Sequence, residues 1–180
     1  MRFSPLAEKD VAELLVEQGL CDDAALARAA AAHGQGSLAR AALWCDAGVV
    51  EFRRELIGLF SRPEIEQPAA AKLVSQFVDE AGKESAAKRQ RMRLVVSLAE
   101  EFYRAVLVAK EAGVLPADAE LSQAVTAALS WMPDEAPAAC LDVCLAAYEH
   151  IDANVNQATL IEWWLDEVSM AFTNSLRPTA

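Results

Sequence analysis

Apolar residues recur at three- and four-residue spacing along nearly the whole chain, and breaks in that rhythm fall on glycine and proline. In "VAELLVEQGL", Val11, Leu14 and Leu15 share one helical face and Gly19 stops the helix. Before it, Pro5 holds Ser4 extended, and Glu8 and Asp10 sit where a helix N-terminus favours acids. "CDDAALARAAAAHG" predicts a second helix, capped by Asp22 or Asp23 and stopped by Gly34. "GSLARAALWC" predicts a third, with Ser37 as N-cap and Leu38, Ala41, Ala42 and Cys45 facing inward. The "AGVVEFRRELIGLF" helix carries Val49, Phe52, Leu56 and Phe60 on one stripe, and Pro63 and Pro68 bracket the connection to "AAAKLVSQFVDEAG", which Gly82 closes.

A long helix follows, from about Ser85 to Ala112. Its main stripe is Met92, Val95, Val96, Ala99, Phe102, Tyr103 and Val106. Leu94, Leu98, Ala105 and Val108 lie on another side, which predicts a central place in a bundle. Gly113 and Pro116 end it. "ADAELSQAVTAALSWM", "APAACLDVCLAAYEHIDANVN" and "NQATLIEWWLDEVSMAF" complete roughly nine helices. In the last, Ile161, Trp164, Leu165, Val168 and Phe172 form the inward stripe. Leu160, Trp163 and Met170 form a second face, readable either as a partner interface or as further core. No run alternates apolar and polar in the manner of a strand, so the expected fold class is all-α.

Composition agrees with the periodicity. Hydrophobic residues make up 54% and charged residues 24%, with only 7 Gly and 7 Pro, so a real core and extensive helix are both affordable. The first three helices, residues 1–47, read as a small domain whose core is slight for its size, and residues 48–180 as a larger helical bundle. The net charge is -11, with 4 basic against 7 acidic residues before the division at residue 47 and 12 against 20 after it. Neither part reads as a nucleic-acid binder by itself. The local exception is Lys83, Lys88, Arg89, Arg91 and Arg93, either the solvated first turns of a helix or a basic strip for a partner or passing DNA. Apolar runs reach about a dozen residues, short of a bilayer span. No basic-then-apolar leader opens the sequence, so the expectation is a cytoplasmic protein without a membrane partner.

Chemistry-bearing motifs are sparse. "GQGS" lacks the lysine of a phosphate loop and follows no strand. His33 and His150 stand far apart, and "YEHID" lacks the spacing of a di-metal bundle. Cys140 and Cys144 lie one turn apart, but no second pair completes a metal site, so Cys21, Cys45, Cys140 and Cys144 are expected as reduced, mostly buried residues. The expectation is no cofactor, no metal and no catalytic residue in this chain.

The order of "RFSPLAEKDVAELLVEQGL", "GSLARAALW", "EFRREL" and "DANVNQATLIEWWLDEV" resembles the C-terminal half of the bacterial DNA polymerase III delta-prime subunits, clamp-loader proteins of the AAA+ class. The likeness spans nearly all of the sequence. In that family "F-x-PL" follows the last strand of an ATPase core, a three-helix lid carries "G-S-x-x-R-A-L", and a helical collar ends with a helix opened by "N-x-N". The resemblance implies a three-helix lid at 1–47 and a collar of about five to six helices at 48–180, excised from a longer protein whose ATPase core is not included. It also implies that Arg40 is the sensor-2-like lid arginine, offering planar paired donors to phosphates held by a separate core domain. Arg40 stands one place later than the arginine of ATP-hydrolysing subunits, as suits a family that is a poor or inactive ATPase. Ala7 replaces the usual Ser, Thr or Pro cap after "PL", and Trp163 and Trp164 replace leucines of the last helix. The implied role is non-catalytic assembly: the collar joins delta and gamma/tau-type subunits, and the sliding clamp and primed DNA are met only through the whole complex. The alternative is a stand-alone helical adaptor that binds a partner helix or peptide.

Overall fold

In the computed structural model the described residues are 6–34 and 36–174, with side chains described through Phe172. The extended piece expected at Ser4 and Pro5 lies outside them. Where the hydrophobic rhythm predicted helices, helices form: α1 (Glu8–Glu17), α2 (Ala24–Gly34), α3 (Leu38–Leu43), α4 (Ala47–Phe60), α5 (Gln67–Asp79), α6 (Ser85–Ala112), α7 (Ala119–Leu129), α8 (Ala136–Asp152) and α9 (Gln157–Asn174). The fold is all-α, and no strand occurs among the described residues.

Local signals set the helix ends. The Asp23 carboxylate accepts from the N–H groups of Ala25 (2.7 Å) and Leu26 (3.4 Å), which satisfies orphan donors of α2. Ser37 Oγ accepts from Arg40 N–H at 3.4 Å at the start of α3. Ala7 precedes α1 with no side-chain cap, as its methyl group dictates. At the other end of α1, Gly19 takes φ +67°, and the Gly19 and Leu20 N–H groups donate to Val16 and Leu15 carbonyls, the paired bonds of a left-handed helix stop. Pro68 is a correction: it does not bracket α5 from outside but lies in its first turn, where the missing N–H costs no hydrogen bond.

The chain divides into two compact units, the described residues up to Arg53 and those from Arg54 onward, with the division inside α4. In the first unit α1, α2 and α3 pack on one another around Val11, Leu15, Cys21, Ala27, Ala30, Ala31 and Ala41. Alanine predominates there, so the helices come close. Gly34 shows how close: a Cβ on it would lie 2.7 Å from Ala41 Cβ and 3.2 Å from Ala41 Cα. Gly34 ends α2, as expected, but it also makes room for α3.

In the second unit α6 is central, packing against α5, α7 and α8, while α9 packs against α5 and α8. Its main stripe from Met92 to Val106 is buried. Of the second stripe, Leu98 is buried, Leu94 and Ala105 are half-buried, and Val108 is exposed. An aromatic cluster fills the centre: Phe60 meets Tyr103 at 5.3 Å and Trp164 edge-on at 5.9 Å, and Phe172 meets Trp131 at 5.3 Å. Burying a side chain of this size stabilises the fold by about 1.5–3 kcal/mol. Polar ties fix the register: Gln67 Nε2 donates to the Leu165 carbonyl (2.9 Å) and Ser169 Oγ (2.7 Å), joining α5 to α9, and Trp131 Nε1 donates to the Ser61 carbonyl (2.9 Å).

Candidate functional site

The turn between α8 and α9 builds the most distinctive surface. Asn154 takes φ +58°, a left-handed conformation that asparagine tolerates. Its N–H donates to the Ile151 carbonyl and that of Val155 to the His150 carbonyl, both at 3.2 Å, which ends α8. Two residues on, the Asn156 side chain accepts from Ala158 (3.0 Å) and Thr159 (3.3 Å) N–H groups and starts α9. One asparagine reverses the chain and the other caps the next helix, so α8 and α9 form a tight hairpin.

The inward stripe Ile161, Trp164, Leu165, Val168 and Phe172 is buried. The three residues read as a second face do not share one environment. Leu160 is buried, because it lies one turn before Trp164 and falls on the core side of α9. Trp163 is half-buried, its ring edge-on to His150 of α8 at 4.4 Å. Met170 is exposed. Leu145 on α8 was not singled out from sequence, yet it is 59% exposed. The signal was present: the buried stripe of α8 runs Ala136, Cys140, Cys144, Ala147, Ile151, and Leu145 lies off it, with Asp142 and Glu149.

The basic strip is divided by its own domain. Lys88 donates to Asp79 at 2.7 Å and thereby holds that carboxyl below its ordinary range, with a smaller contribution from Gln157. The Arg91 guanidinium lies 4.5 Å above the Phe77 ring. Arg93 pairs with Asp152 and lies 5.8 Å from the Tyr148 ring centre. Lys83 and Arg89 are exposed. A run that looks continuous in sequence thus presents its heads to different neighbours.

In the first unit Arg40 is the third residue of α3, held by the Ser37 cap, with its side chain exposed. The periodicity did not foresee what surrounds Trp44. His33 stacks on it with ring centres 4.0 Å apart, and the guanidinium of the buried Arg53 lies 4.6 Å from its ring centre.

All four cysteines are free thiols. Cys21, Cys140 and Cys144 are buried, and Cys45 is half-buried. Burial pushes the Cys144 thiol up to about 12 and Cys140 higher still, so both stay protonated and weakly nucleophilic. Cys140 sits beside Tyr103 and Cys144 beside Trp164. Tyr103 Oη and Trp164 Nε1 are buried, and these two thiols are the polar groups beside them. Burial, and then the neighbouring Cys21 thiol, push Cys45 up to about 11. Among the described residues no three or more His, Cys, Asp or Glu side chains are grouped to hold a metal ion, and no helix is long and apolar enough to cross a membrane.

Compared with known protein families, with curated proteins and with solved structures, the chain shows no match.

Proposed function

We propose that this chain is a non-catalytic assembly module, the lid and collar of a clamp-loader subunit of the DNA polymerase III delta-prime type. The lid is residues 1–47 and the collar residues 48–180. The observation that carries the reading is the order in which its features occur. A small three-helix unit contains a helix capped by Ser37 that presents Arg40 to solvent. A longer bundle follows, and its last helix is capped by Asn156, two residues after the turn at Asn154. The resemblance names those same segments, in that order, as the lid arginine and the last collar helix.

In such a machine the collars pack side by side and hold the ATPase domains in the arrangement that opens a sliding clamp. Trp163 and Met170 would serve that packing, since aromatic and methionine side chains at a surface suit protein contacts. Arg40 would face nucleotide held by a separate core domain. The test is size-exclusion chromatography of the chain mixed with delta and gamma/tau-type subunits encoded in the same genome. Co-elution at a defined stoichiometry is expected, weakened by Trp163→Ala. Separate elution of every mixture contradicts the reading.

The exposure of Leu145 and Met170 also favours a second reading, a stand-alone adaptor that receives a partner helix. The full reading frame separates the two: an ATPase core encoded directly upstream belongs to the first reading, and a complete short gene to the second.

A further inference from the structure

We infer that Cys21 and Cys45 form a reversible redox pair, whose disulfide closes the small first unit under oxidising conditions. The inference goes beyond the assembly reading and does not rest on it, because both thiols belong to the same unit whatever that unit serves.

Each of the two units holds two of the four free thiols. Cys140 and Cys144 cannot join as they stand. They lie one turn apart on α8, where Cβ atoms are about 5–6 Å apart, and a disulfide needs about 3.5–4.5 Å. Cys140 turns to Tyr103, and Cys144 to Trp164. Cys21 and Cys45 differ on each count. No helix holds them at a fixed spacing, since Cys21 stands in the α1–α2 turn and Cys45 in the turn between α3 and α4. Cys21 belongs to the buried core of the unit, and Cys45 packs against that core. The Cys45 thiol has the Cys21 thiol as its side-chain neighbour within hydrogen-bonding reach. Backbone bonds hold both turns in place: the Cys21 N–H donates to the Leu15 carbonyl and the Cys45 N–H to the Ala42 carbonyl, each at 3.1 Å.

The two sulfurs are not equally accessible. Cys21 is buried and Cys45 half-buried, so an oxidant reaches Cys45 first and Cys21 is the resolving thiol. The co-reactant is a small disulfide such as oxidised glutathione. The Cys45 thiolate attacks one of its sulfurs, the glutathione S–S bond breaks, and one glutathione thiolate leaves. The Cys21 thiolate then attacks the Cys45 sulfur of the mixed disulfide. The Cys21–Cys45 bond forms and the second glutathione leaves. Two cysteine thiols are oxidised, one glutathione disulfide is reduced to two thiols, and the two protons pass to them. Because the Cys45 thiol titrates at about 11, few thiolates exist at neutral pH and closure is slow. The pair therefore follows a sustained oxidising poise and ignores a brief pulse.

What closure does follows from where the bond falls. The ring it makes encloses α2 and α3 whole and ties the end of α3 to the end of α1. The core inside is mostly alanine, and a core that slight opens readily. A cross-link removes entropy from the open states, so it suppresses their formation.

The test equilibrates the full chain with glutathione at a reducing and at an oxidising ratio, followed by an acid quench. Intact mass, a non-reducing peptide map and amide hydrogen exchange are then read. The oxidising buffer is expected to remove the mass of two hydrogen atoms and to join the Cys21 peptide to the Cys45 peptide. Exchange in α1, α2 and α3 is expected to slow by about tenfold or more, with circular dichroism unchanged and full reversal on reduction. Cys45→Ser, at a half-buried position, is expected to keep its helix content and to show none of that slowing. If that variant fails to fold, the peptide map of the unsubstituted chain still decides. Four thiols that stay reduced, a glutathione adduct on Cys45 that never resolves, a map joining any other pair, or equal slowing in Cys45→Ser overturns the inference. None of these outcomes bears on co-elution with clamp-loader subunits, so the assembly reading stands or falls separately.

Discussion

Gly34 and Ala41 touch because neither has a side chain beyond Cβ, and the neighbour that a Gly34 methyl would strike is rigid backbone and Cβ. Gly34→Ala gains about 1 kcal/mol of helix propensity but forces α2 and α3 apart, which costs about 1–3 kcal/mol, so a net loss of stability is expected. Urea denaturation checks it, and an unchanged midpoint would mean that the helices are not in contact there. Trp164 is the largest buried side chain of the second unit, and Trp164→Ala is expected to cost about 3–5 kcal/mol by the same measurement. Cys45 gives a dependence on pH. Its thiol ordinarily titrates at 9.0 and here at about 11, so the folded state holds the proton more tightly than the unfolded chain does. The stability this contributes is complete below pH 9.0 and is lost as pH rises towards about 11. Cys45→Ser is expected to make that loss shallower in denaturation series across the same range. Residue identity was legible in the sequence where spacing decides it: the inward stripe of α9 is buried as read. Leu160 was not, because a residue adjacent to the stripe and one turn before a buried tryptophan falls on the core side, and only packing decides how wide that side is.

The helix ends were readable wherever a side chain or a left-handed residue makes them. Asp23, Ser37, Gly19, Gly82 and Gly113 all act as their chemistry predicts. The basic run of α6 was not readable, because its charges lie on several sides of one helix and only the neighbouring helices decide where each head goes. Asp79, Phe77 and Asp152 take Lys88, Arg91 and Arg93, and none of these partners is near the run in sequence except Asp79. The α8–α9 hairpin carries the element-scale prediction. Asn156→Ala removes the cap acceptor and is expected to cost about 1 kcal/mol. Asn154→Gly should be tolerated, since glycine accepts a positive φ, whereas Asn154→Val should destabilise by more than the cap does. Thermal melts of the three variants give the order. Equal melting temperatures for Asn154→Gly and Asn154→Val would contradict the left-handed turn.

Across the molecule, two helical units share one polypeptide but differ in how they are built. The first is held by alanine contacts around a slight core, the second by an aromatic cluster. Hydrogen exchange is expected to protect α6, α8 and α9 more strongly than α1, α2 and α3, and equal protection would contradict that contrast. The net charge of -11 is also unevenly used. Asp79, Asp134 and Asp152 pair with Lys88, Lys110 and Arg93 of α6, whereas Asp142 and Glu149 of α8 and Glu162 and Asp166 of α9 are exposed. The central claim is that this chain works by assembling with other proteins through its helical surfaces. Light scattering coupled to size exclusion, on the chain mixed with delta and gamma/tau-type subunits, tests it most directly. A single species whose mass is the sum of the components, weakened by Trp163→Ala, is the predicted result. Components that elute at their separate masses in every combination would contradict it.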